Sequence, residues 1–302
     1  MRTQWRHTQD LMSAPLQFRD MNLDDVPAGL RLCRTARWNQ LAADWELFLH
    51  LSPSGCRVAT CDDRVIGTVT TVNYENRFAW IGMVLVDPEY RGRGVGTRLL
   101  QESLDILKDL KCSRLDATPQ GRAVYLHLNF VDEYQLSRMQ LDLASRDFPH
   151  LDVRAPNQIP RELTKDDLVS VFEIDRCLFG ADRSAVLRWA WLQAPEYAWV
   201  IRGDTNEVEA YCFGRRGFNF DQIGPIYSRA QQNAELLVLS CLEKRKNQRI
   251  IVDAFHHSPT WIAALERLGF AHQRPFIRMY RGQNGHPGLP GQLWAMFGPE
   301  FG

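Results

Sequence analysis

A run of alternating glycine and arginine is the segment of this chain best suited to chemistry. It reads Arg91-Gly-Arg-Gly-Val-Gly96 and lies between an apolar stretch and leucines at helical spacing. Glycines let backbone N–H groups approach a ligand, and a helix N-terminus adds unpaired donors and the positive end of its dipole. Arg91, Arg93 and Arg98 add positive charge. The pattern predicts a site for a phosphate or pyrophosphate.

Two common phosphate-binding motifs do not fit this run. The dinucleotide motif GxGxxG, begun at Gly92, would need glycine where the chain has Thr97, and a Walker A loop would need a lysine after Gly96. The run does fit [QR]-x-x-G-x-[GA] between a strand and a helix. With this motif the chain resembles the GNAT superfamily of N-acetyltransferases. Ala123–Phe130 is similar to the family's A-x-x-Y-x-x-L-G-F helix end, with Tyr125 one place early.

This resemblance covers about residues 16–140 and implies a site for acetyl-CoA. No metal is expected, because His256 and His257 have no third ligand at a suitable spacing. In the family the loop binds the pyrophosphate and the strand before it pairs with the pantetheine arm. Gln120 stands where asparagine is usual, which leaves its pantetheine contact open. The residues that the resemblance assigns to coenzyme A are Val84, Leu85, Val86, Arg91, Gly92, Arg93, Gly94, Val95, Gly96, Thr97 and Gln120.

Acyl transfer to an amine needs a neutral nucleophile, a donor for the oxyanion and a proton for the departing thiolate. The resemblance makes Tyr125 the acid, although a core-packing role is the alternative. A strand amide near Val86 is the expected oxyanion donor. The strand carries no carboxylate to act as base, so Glu75 and Asp116 are candidates, and a base acting through water is another.

Two tryptophans are expected to contribute to substrate specificity. Trp38 and Trp45 are seven residues apart, so a helix running from Trp38 to His50 would place both on one face. In GNAT proteins this helical segment borders the acceptor site.

The elements around the loop follow from the apolar spacing. Asn22, with Asp25 three residues later, predicts a capped helix start. Phe78–Val86 is apolar at both its odd and its even positions, which predicts a central strand that is buried on both faces. A helix is expected from about Gly94 to Leu110. The predicted class is α/β (α+β), with two GNAT-like domains, each a mixed, mostly antiparallel sheet flanked by helices.

Short matches recur in one order along the chain, which indicates an internal duplication. Ile81-Gly82 recurs 142 positions later, and Arg138-Met139 recurs 140 positions later. The predicted divisions are a mobile extension at 1–15, a GNAT acetyltransferase domain at 16–146, a proline-containing linker at 147–160 and a degenerate GNAT-like domain at 161–302. The second copy resembles the C-terminal half of bacterial tandem GNAT proteins. It is expected to bind no CoA, because its loop, Ile226–Asn233, contains no glycine. Its Arg215-Arg216 pair is interpreted as a salt-bridged strand end.

Composition excludes several classes of function. The 302 residues carry 36 basic and 36 acidic side chains, so the basic surplus of a nucleic-acid binder is missing. No apolar run is long enough to span a membrane, and the seven cysteines form no CxxC pair. We expect a cytoplasmic protein with no nucleic-acid or membrane partner. The sequence does not indicate the oligomeric state.

The predicted activity is transfer of an acetyl group from acetyl-CoA to a primary amine by direct attack. The acceptor is a small-molecule or peptide amine that the sequence does not identify. Two alternatives stay open: an acyl-CoA-binding sensor without turnover, and a pseudoenzyme scaffold whose loop binds no CoA.

Overall fold

The computed structural model describes residues 15–142, 159–243 and 248–302. The expected N-terminal extension and most of the expected linker lie outside these ranges. Eight α-helices are described: α1 Val26–Thr35, α2 Ala42–Leu51, α3 Val95–Ile106, α4 Pro119–His127, α5 Leu168–Phe179, α6 Ser184–Gln193, α7 Gln231–Glu243 and α8 Pro259–Arg267. The strands are β1 Gln17–Asp20, β2 Arg57–Cys61, β3 Arg64–Tyr74, β4 Phe78–Val86, β5 Cys112–Ala117, β6 Val131–Asp142, β7 Arg161–Glu162, β8 Trp199–Arg202, β9 Val208–Arg215, β10 Asp221–Ser228, β11 Arg249–Phe255, β12 Ala271–Gly282 and β13 Leu293–Ala295.

The sequence predicted most of these elements correctly. Strand β4 has the expected bounds, and the Asn22–Asp25 capping box is present, as is its counterpart at Thr164 and Asp167. The expected class, mixed α/β with a mostly antiparallel sheet, is confirmed. Two helix boundaries were wrong. Helix α3 ends at Ile106 and not at about Leu110, because the chain forms a turn at 107–109. The helix expected from Trp38 begins only at Ala42, because a turn with Arg37 at φ +57° separates α1 from α2.

The chain forms two compact units. Their boundaries differ from the boundary between the two sequence copies. The small unit takes residues up to 72 together with 81–109, and the large unit takes 73–80 and 110–302. The large unit therefore contains β5, α4 and β6 of the first copy as well as the whole second copy.

In the small unit, strands β1 to β4 lie side by side in chain order. Helix α3 packs closely against β3, where Gly67 replaces a larger side chain. A Cβ at Gly67 would lie 3.0 Å from Leu99 Cδ1 and 3.1 Å from the Leu85 carbonyl oxygen. Buried Val95, Leu99 and Leu100 form the core face of α3. These contacts hold the start of α3 against the strands that precede the glycine loop, which is residues 91–97.

In the large unit, strands from both copies alternate in the sheet. Strand β12 of the second copy lies between β5 and β6 of the first, and β6 also pairs with β11 along seven residues. Each exchanged strand carries a buried arginine. Arg138 binds Asp253 with two hydrogen bonds of 2.7 Å, and Arg278 binds Asp116 with two of 2.8 Å. Arg138-Met139 recurs as Arg278-Met279, and Asp116-Ala117 recurs as Asp253-Ala254, so equivalent residues form two reciprocal ion pairs between the copies.

The two strand-end arginines of the second copy are paired, as the sequence indicated. Arg215 bonds to Glu300 in a buried pair, and Arg216 bonds to Glu196 at 2.8 Å.

Candidate acyl-CoA site

The glycine loop begins where β4 ends and continues into α3. A short 3-10 turn at Pro88–Tyr90 follows the strand, and the side chain of Arg91 then donates from Nε to the Val86 carbonyl at 3.1 Å. Gly92 and Gly94 have φ values of +74° and +78°. Other residues adopt this left-handed region only with strain, so the loop's path requires these two glycines.

The loop is open on the side where its glycines lie. A Cβ added at Gly92 or Gly94 would meet nothing within 4 Å, whereas one at Gly96 would lie 3.3 Å from Val86 Cγ2. The Arg98 N–H is the first to reach back to a helix carbonyl, that of Gly94, at 2.9 Å. By helix geometry, the amides of residues 95–97 are left for another acceptor. The loop therefore offers an exposed set of backbone donors at the positive end of a helix.

Three arginines lie in or next to the loop sequence, and one of them, Arg98, also donates from Nε to Glu102 at 3.2 Å. Arg91, Arg93 and Arg98 are exposed, and the Arg93 guanidinium lies 5.2 Å from the centre of the Tyr90 ring. The exposed Thr97 supplies a hydroxyl in the first turn of α3. A pyrophosphate needs converging N–H donors, positive charge and backbone without side-chain obstruction. The residues present fit such a group.

Strand β4 carries a backbone feature that the sequence did not indicate. Met83 lies mid-strand with φ +52°, in a region that non-glycine residues rarely adopt. Its carbonyl accepts a hydrogen bond of 2.8 Å from the fully buried Thr68 hydroxyl. Val84 and Val86, beyond it, are half-buried, and Leu85 is buried. Strain of this kind is concentrated at functional sites, so Met83 marks the part of β4 beside the loop as a candidate reaction centre.

The Thr68 contact leads to a prediction about stability. Thr68→Val should lower the free energy of unfolding by about 1–2 kcal/mol, because the buried Met83 carbonyl would lose its donor. Thr70 is the matched control, since it lies two residues further along β3, is also fully buried, and its hydroxyl has no partner among the described residues. Thr70→Val should be neutral or stabilising. Urea unfolding followed by tryptophan fluorescence measures both, and equal effects would contradict the assignment.

Tyr125 and Gln120 lie on α4, in the large unit. Gln120 is exposed, and Tyr125 is half-buried with its ring 6.0 Å from that of Phe130. Burial raises the pKa of Tyr125 to about 12, so the phenol keeps its proton at neutral pH, as an acid must. After α4 the chain turns at Asn129 with φ +63°, the conformation expected where the family has glycine.

The two carboxylates considered as bases are both engaged by arginines in the large unit. Glu75 accepts hydrogen bonds from Arg176 at 2.7 and 3.1 Å and from the Asp182 amide at 2.7 Å. The Arg176 hydrogen bonds hold the pKa of Glu75 below its usual range, which weakens it as a base. Asp116 is buried and paired with Arg278. Nothing in these contacts favours either carboxylate as a base over a base acting through water.

The structure separates the two tryptophans proposed for specificity. Trp38 precedes α2 and lies in the turn after α1, so the two rings do not share a helix face. Trp45 is fully buried, and a Cβ at Gly29 of α1 would lie only 2.9 Å from its ring. Trp45 therefore belongs to the core between α1 and α2. Trp38 is half-buried and stays a prediction.

Comparison with known proteins identifies the family. An acetyltransferase (GNAT) family model matches residues 23–130, and an acetyltransferase (GNAT) domain model matches residues 171–295. Together the two matches cover most of the chain. The chain belongs to the GNAT acetyltransferase family. It is a tandem member, with one GNAT domain in each sequence copy, and it is an acyltransferase.

Relatives share this arrangement along most of their length. A holothin acyltransferase from a Pseudoalteromonas species is 26% identical over 250 residues, covering 82% of this chain and 81% of that protein. The structure of a candidate acetyltransferase from Pyrococcus horikoshii superposes with a TM-score of 0.76 at 23% identity, covering 95% and 96% of the two chains. A tandem GNAT protein from the clavulanic acid biosynthesis pathway gives 0.64 at 16% identity, covering 89% and 98%. The structural matches show the fold.

In the second GNAT copy, β10 and β11 correspond to β4 and β5 of the first copy, and β13 lies between them. These strands, β10 and β11, pair only at residues 221–223 and 250–252, and β13 then lies between them. Trp294 of β13 donates from Nε1 to the Ser228 carbonyl at 2.9 Å, and Trp261 donates to the Trp294 carbonyl at 2.9 Å. The second copy therefore differs from the first in two ways: β13 fills the gap between β10 and β11, and the loop has no glycines.

The described residues contain neither a candidate membrane span nor a candidate metal site. No helix in this part of the chain is long and apolar enough to cross a membrane. Within the same ranges, no group of three or more His, Cys, Asp or Glu side chains is arranged to hold a metal ion.

Proposed function

We propose that the first GNAT copy transfers an acetyl group from acetyl-CoA to a primary amine on a small molecule or peptide. The observation that carries this proposal is the open loop Arg91–Thr97, where Gly92 and Gly94 face free space at the start of α3. The second copy lacks these glycines and has β13 between β10 and β11. We therefore expect one CoA site in each chain.

The residues of the loop bind and orient, and they take no part in bond making. The amides of residues 95–97, with Arg91 and Arg93, would hold the pyrophosphate. The half-buried strand residues Val84 and Val86 would line the pantetheine. Acetyl-CoA supplies the thioester that the amine attacks. The loop thereby converts a collision between two molecules into reaction within one complex, which lowers the entropic part of the barrier.

Two groups of the chain assist the bond changes in this proposal. A backbone N–H in the strained part of β4, at or after Met83, stabilises negative charge on the carbonyl oxygen as the amine nitrogen bonds to its carbon. The carbon–sulfur bond then breaks, and the Tyr125 hydroxyl gives its proton to the thiolate. The amine loses its proton to a base acting through water, and water returns a proton to the Tyr125 phenolate.

Tyr125→Phe tests the activity directly and separates an enzyme from a sensor. Calorimetric titration should show one acetyl-CoA site per chain, with the same Kd in the wild type and the variant. Thiol release with a panel of primary amines should fall by roughly 100-fold in the variant, the usual effect of losing a general acid. A wild type that binds but releases no thiol with any amine would favour the sensor. A wild type that shows no binding would overturn the proposal at its first step.

A further inference from the structure

Asp87 lies between the end of β4 and the glycine loop, and its buried carboxylate accepts three hydrogen bonds. Its side chain is 5% exposed and accepts hydrogen bonds from Arg31 at 2.7 Å and Arg64 at 2.8 Å. Its other oxygen accepts the Glu89 N–H at 3.3 Å, and its carbonyl accepts the Tyr90 N–H at 2.9 Å. Asp87 therefore caps the 3-10 turn that leads into the glycine loop.

The partners of Asp87 belong to elements outside the loop. Arg31 lies on α1 and also donates to the Val65 carbonyl at 2.6 Å, while Arg64 begins β3. The Asp87 N–H donates to the Ile66 carbonyl of β3 at 2.8 Å. Burial raises the pKa of Asp87, but the hydrogen bond from Arg31 and the other donors outweigh burial and hold the pKa below its usual range. The carboxylate is ionised at neutral pH and ties the start of the loop to α1 and β3.

We propose that Asp87 is a positioning residue that fixes the glycine loop in the conformation that binds the pyrophosphate. The inference rests on the proposed function and adds to it a residue outside the loop motif. A loop already ordered loses less conformational freedom when the ligand binds, and this raises affinity without a further contact.

The sign of the effect makes the proposal testable. Asp87 is an anion four residues before Arg91. If only its charge mattered, removing that charge would strengthen the binding of an anionic ligand. If Asp87 positions the loop, its removal weakens binding although a repulsive charge has been lost. A change of Asp87 to asparagine therefore separates the two effects by their direction.

Asp25 is the matched control, in the same unit. It is also buried, and it accepts two hydrogen bonds of 2.7 Å from Arg19 and one of 3.0 Å from the Asn22 N–H. Its pKa is likewise below the usual range, with burial opposed by the Arg19 hydrogen bond. The difference is position, because Asp25 belongs to the capping box of the 3-10 turn that leads into α1, and the loop lies elsewhere in the unit.

The experiment compares the wild-type chain, Asp87→Asn and Asp25→Asn by calorimetric titration with acetyl-CoA. We expect a roughly tenfold rise in Kd for Asp87→Asn, and no change beyond about twofold for Asp25→Asn. Hydrogen–deuterium exchange of the unliganded protein should accelerate across residues 88–97 in Asp87→Asn only. If Asp87→Asn does not fold, Arg64→Gln removes one half-exposed partner and should give the same changes at smaller size.

Each result has a defined consequence. Equal or tighter binding by Asp87→Asn overturns the inference while leaving the proposed function intact, and so does loop exchange identical to the wild type. No binding by the wild type overturns the proposed function and the cofactor role of Asp87 with it. In that case exchange over residues 88–97, which needs no ligand, still decides whether Asp87 fixes the loop.

Discussion

Gly94→Glu should abolish binding of acetyl-CoA, raising the Kd by at least about 100-fold. The added side chain would enter the open space that the proposed pyrophosphate occupies, and it would bring a negative charge. Because Gly94 has φ +78°, a glutamate there also adopts a strained conformation that costs about 1–2 kcal/mol. Differential scanning fluorimetry gives the readout, since ligand at ~100 times its Kd stabilises the wild type by about 2.7 kcal/mol. The variant should show no such shift.

Two further variants separate the causes. Gly94→Asn keeps a residue type that tolerates left-handed conformations and adds no charge, so its loss of affinity should be smaller. Gly285→Glu adds the same charge in the large unit, at a glycine whose Cβ would also meet nothing within 4 Å. It should bind acetyl-CoA like the wild type. Unchanged affinity in Gly94→Glu would remove the loop from the proposed site.

Arg278→Met should lower the free energy of unfolding by about 3–5 kcal/mol. The Asp116 side chain is fully buried, and both hydrogen bonds that it accepts from the described residues come from Arg278, so the variant leaves a buried charge uncompensated. Arg278 also lies 4.5 Å from the Trp80 ring centre and donates to the Tyr134 hydroxyl at 2.8 Å. Urea unfolding measures the loss. The double variant Arg278→Met, Asp116→Leu should recover most of it, because an apolar pair of similar volume replaces the ions.

An exposed pair in the same unit gives the control for Arg278→Met. Arg122 and Asp132 are each about 40% exposed and bond at 2.6 Å. Arg122→Met should cost less than about 1 kcal/mol, because water screens an exposed pair and replaces its hydrogen bonds. Similar losses in Arg122→Met and Arg278→Met would contradict the buried-pair explanation.

The effect of Arg278→Met should also depend on pH. Burial raises the pKa of the Asp116 carboxyl, and the Arg278 guanidinium opposes that shift. Without Arg278 the folded-state pKa rises further above the unfolded value. A raised folded-state pKa means that the folded form binds the proton more tightly, so stability is lost as the pH rises through that pKa. The deficit against the wild type should therefore be larger at pH 8 than at pH 5.

Local rules account for what the sequence predicted well. The apolar parity of Phe78–Val86, the capping boxes at Asn22 and Thr164, and the duplication all depend on residues close in the chain or on repeated patterns. The loop motif depends on glycines whose left-handed backbone the structure shows at Gly92 and Gly94. Trp38 was misplaced because apolar spacing continues across a turn that no proline or glycine marks.

Other features depend on chain segments that are distant in sequence. The left-handed conformation of Met83 carries no residue-type signal, and its partner Thr68 is a common strand residue. The bonds of Asp87 come from Arg31 and Arg64, which are 56 and 23 residues away. The capping geometry could have suggested Asp87, since Asp-Pro after a strand predicts a turn. Its two arginines could not be chosen from the 36 basic residues of the chain.

The sequence by itself determined the family, the duplication and the fact that only the first copy has a glycine-bearing loop, because each of these is expressed in residue types at fixed spacing. Only the tertiary structure decided which strands pair. It placed β12 between β5 and β6, so that each repeated arginine meets the aspartate of the other copy, and β13 between β10 and β11. Strand partners are chosen by burial and hydrogen bonding over more than a hundred residues of intervening chain, and the residue pattern along a single strand does not encode that choice.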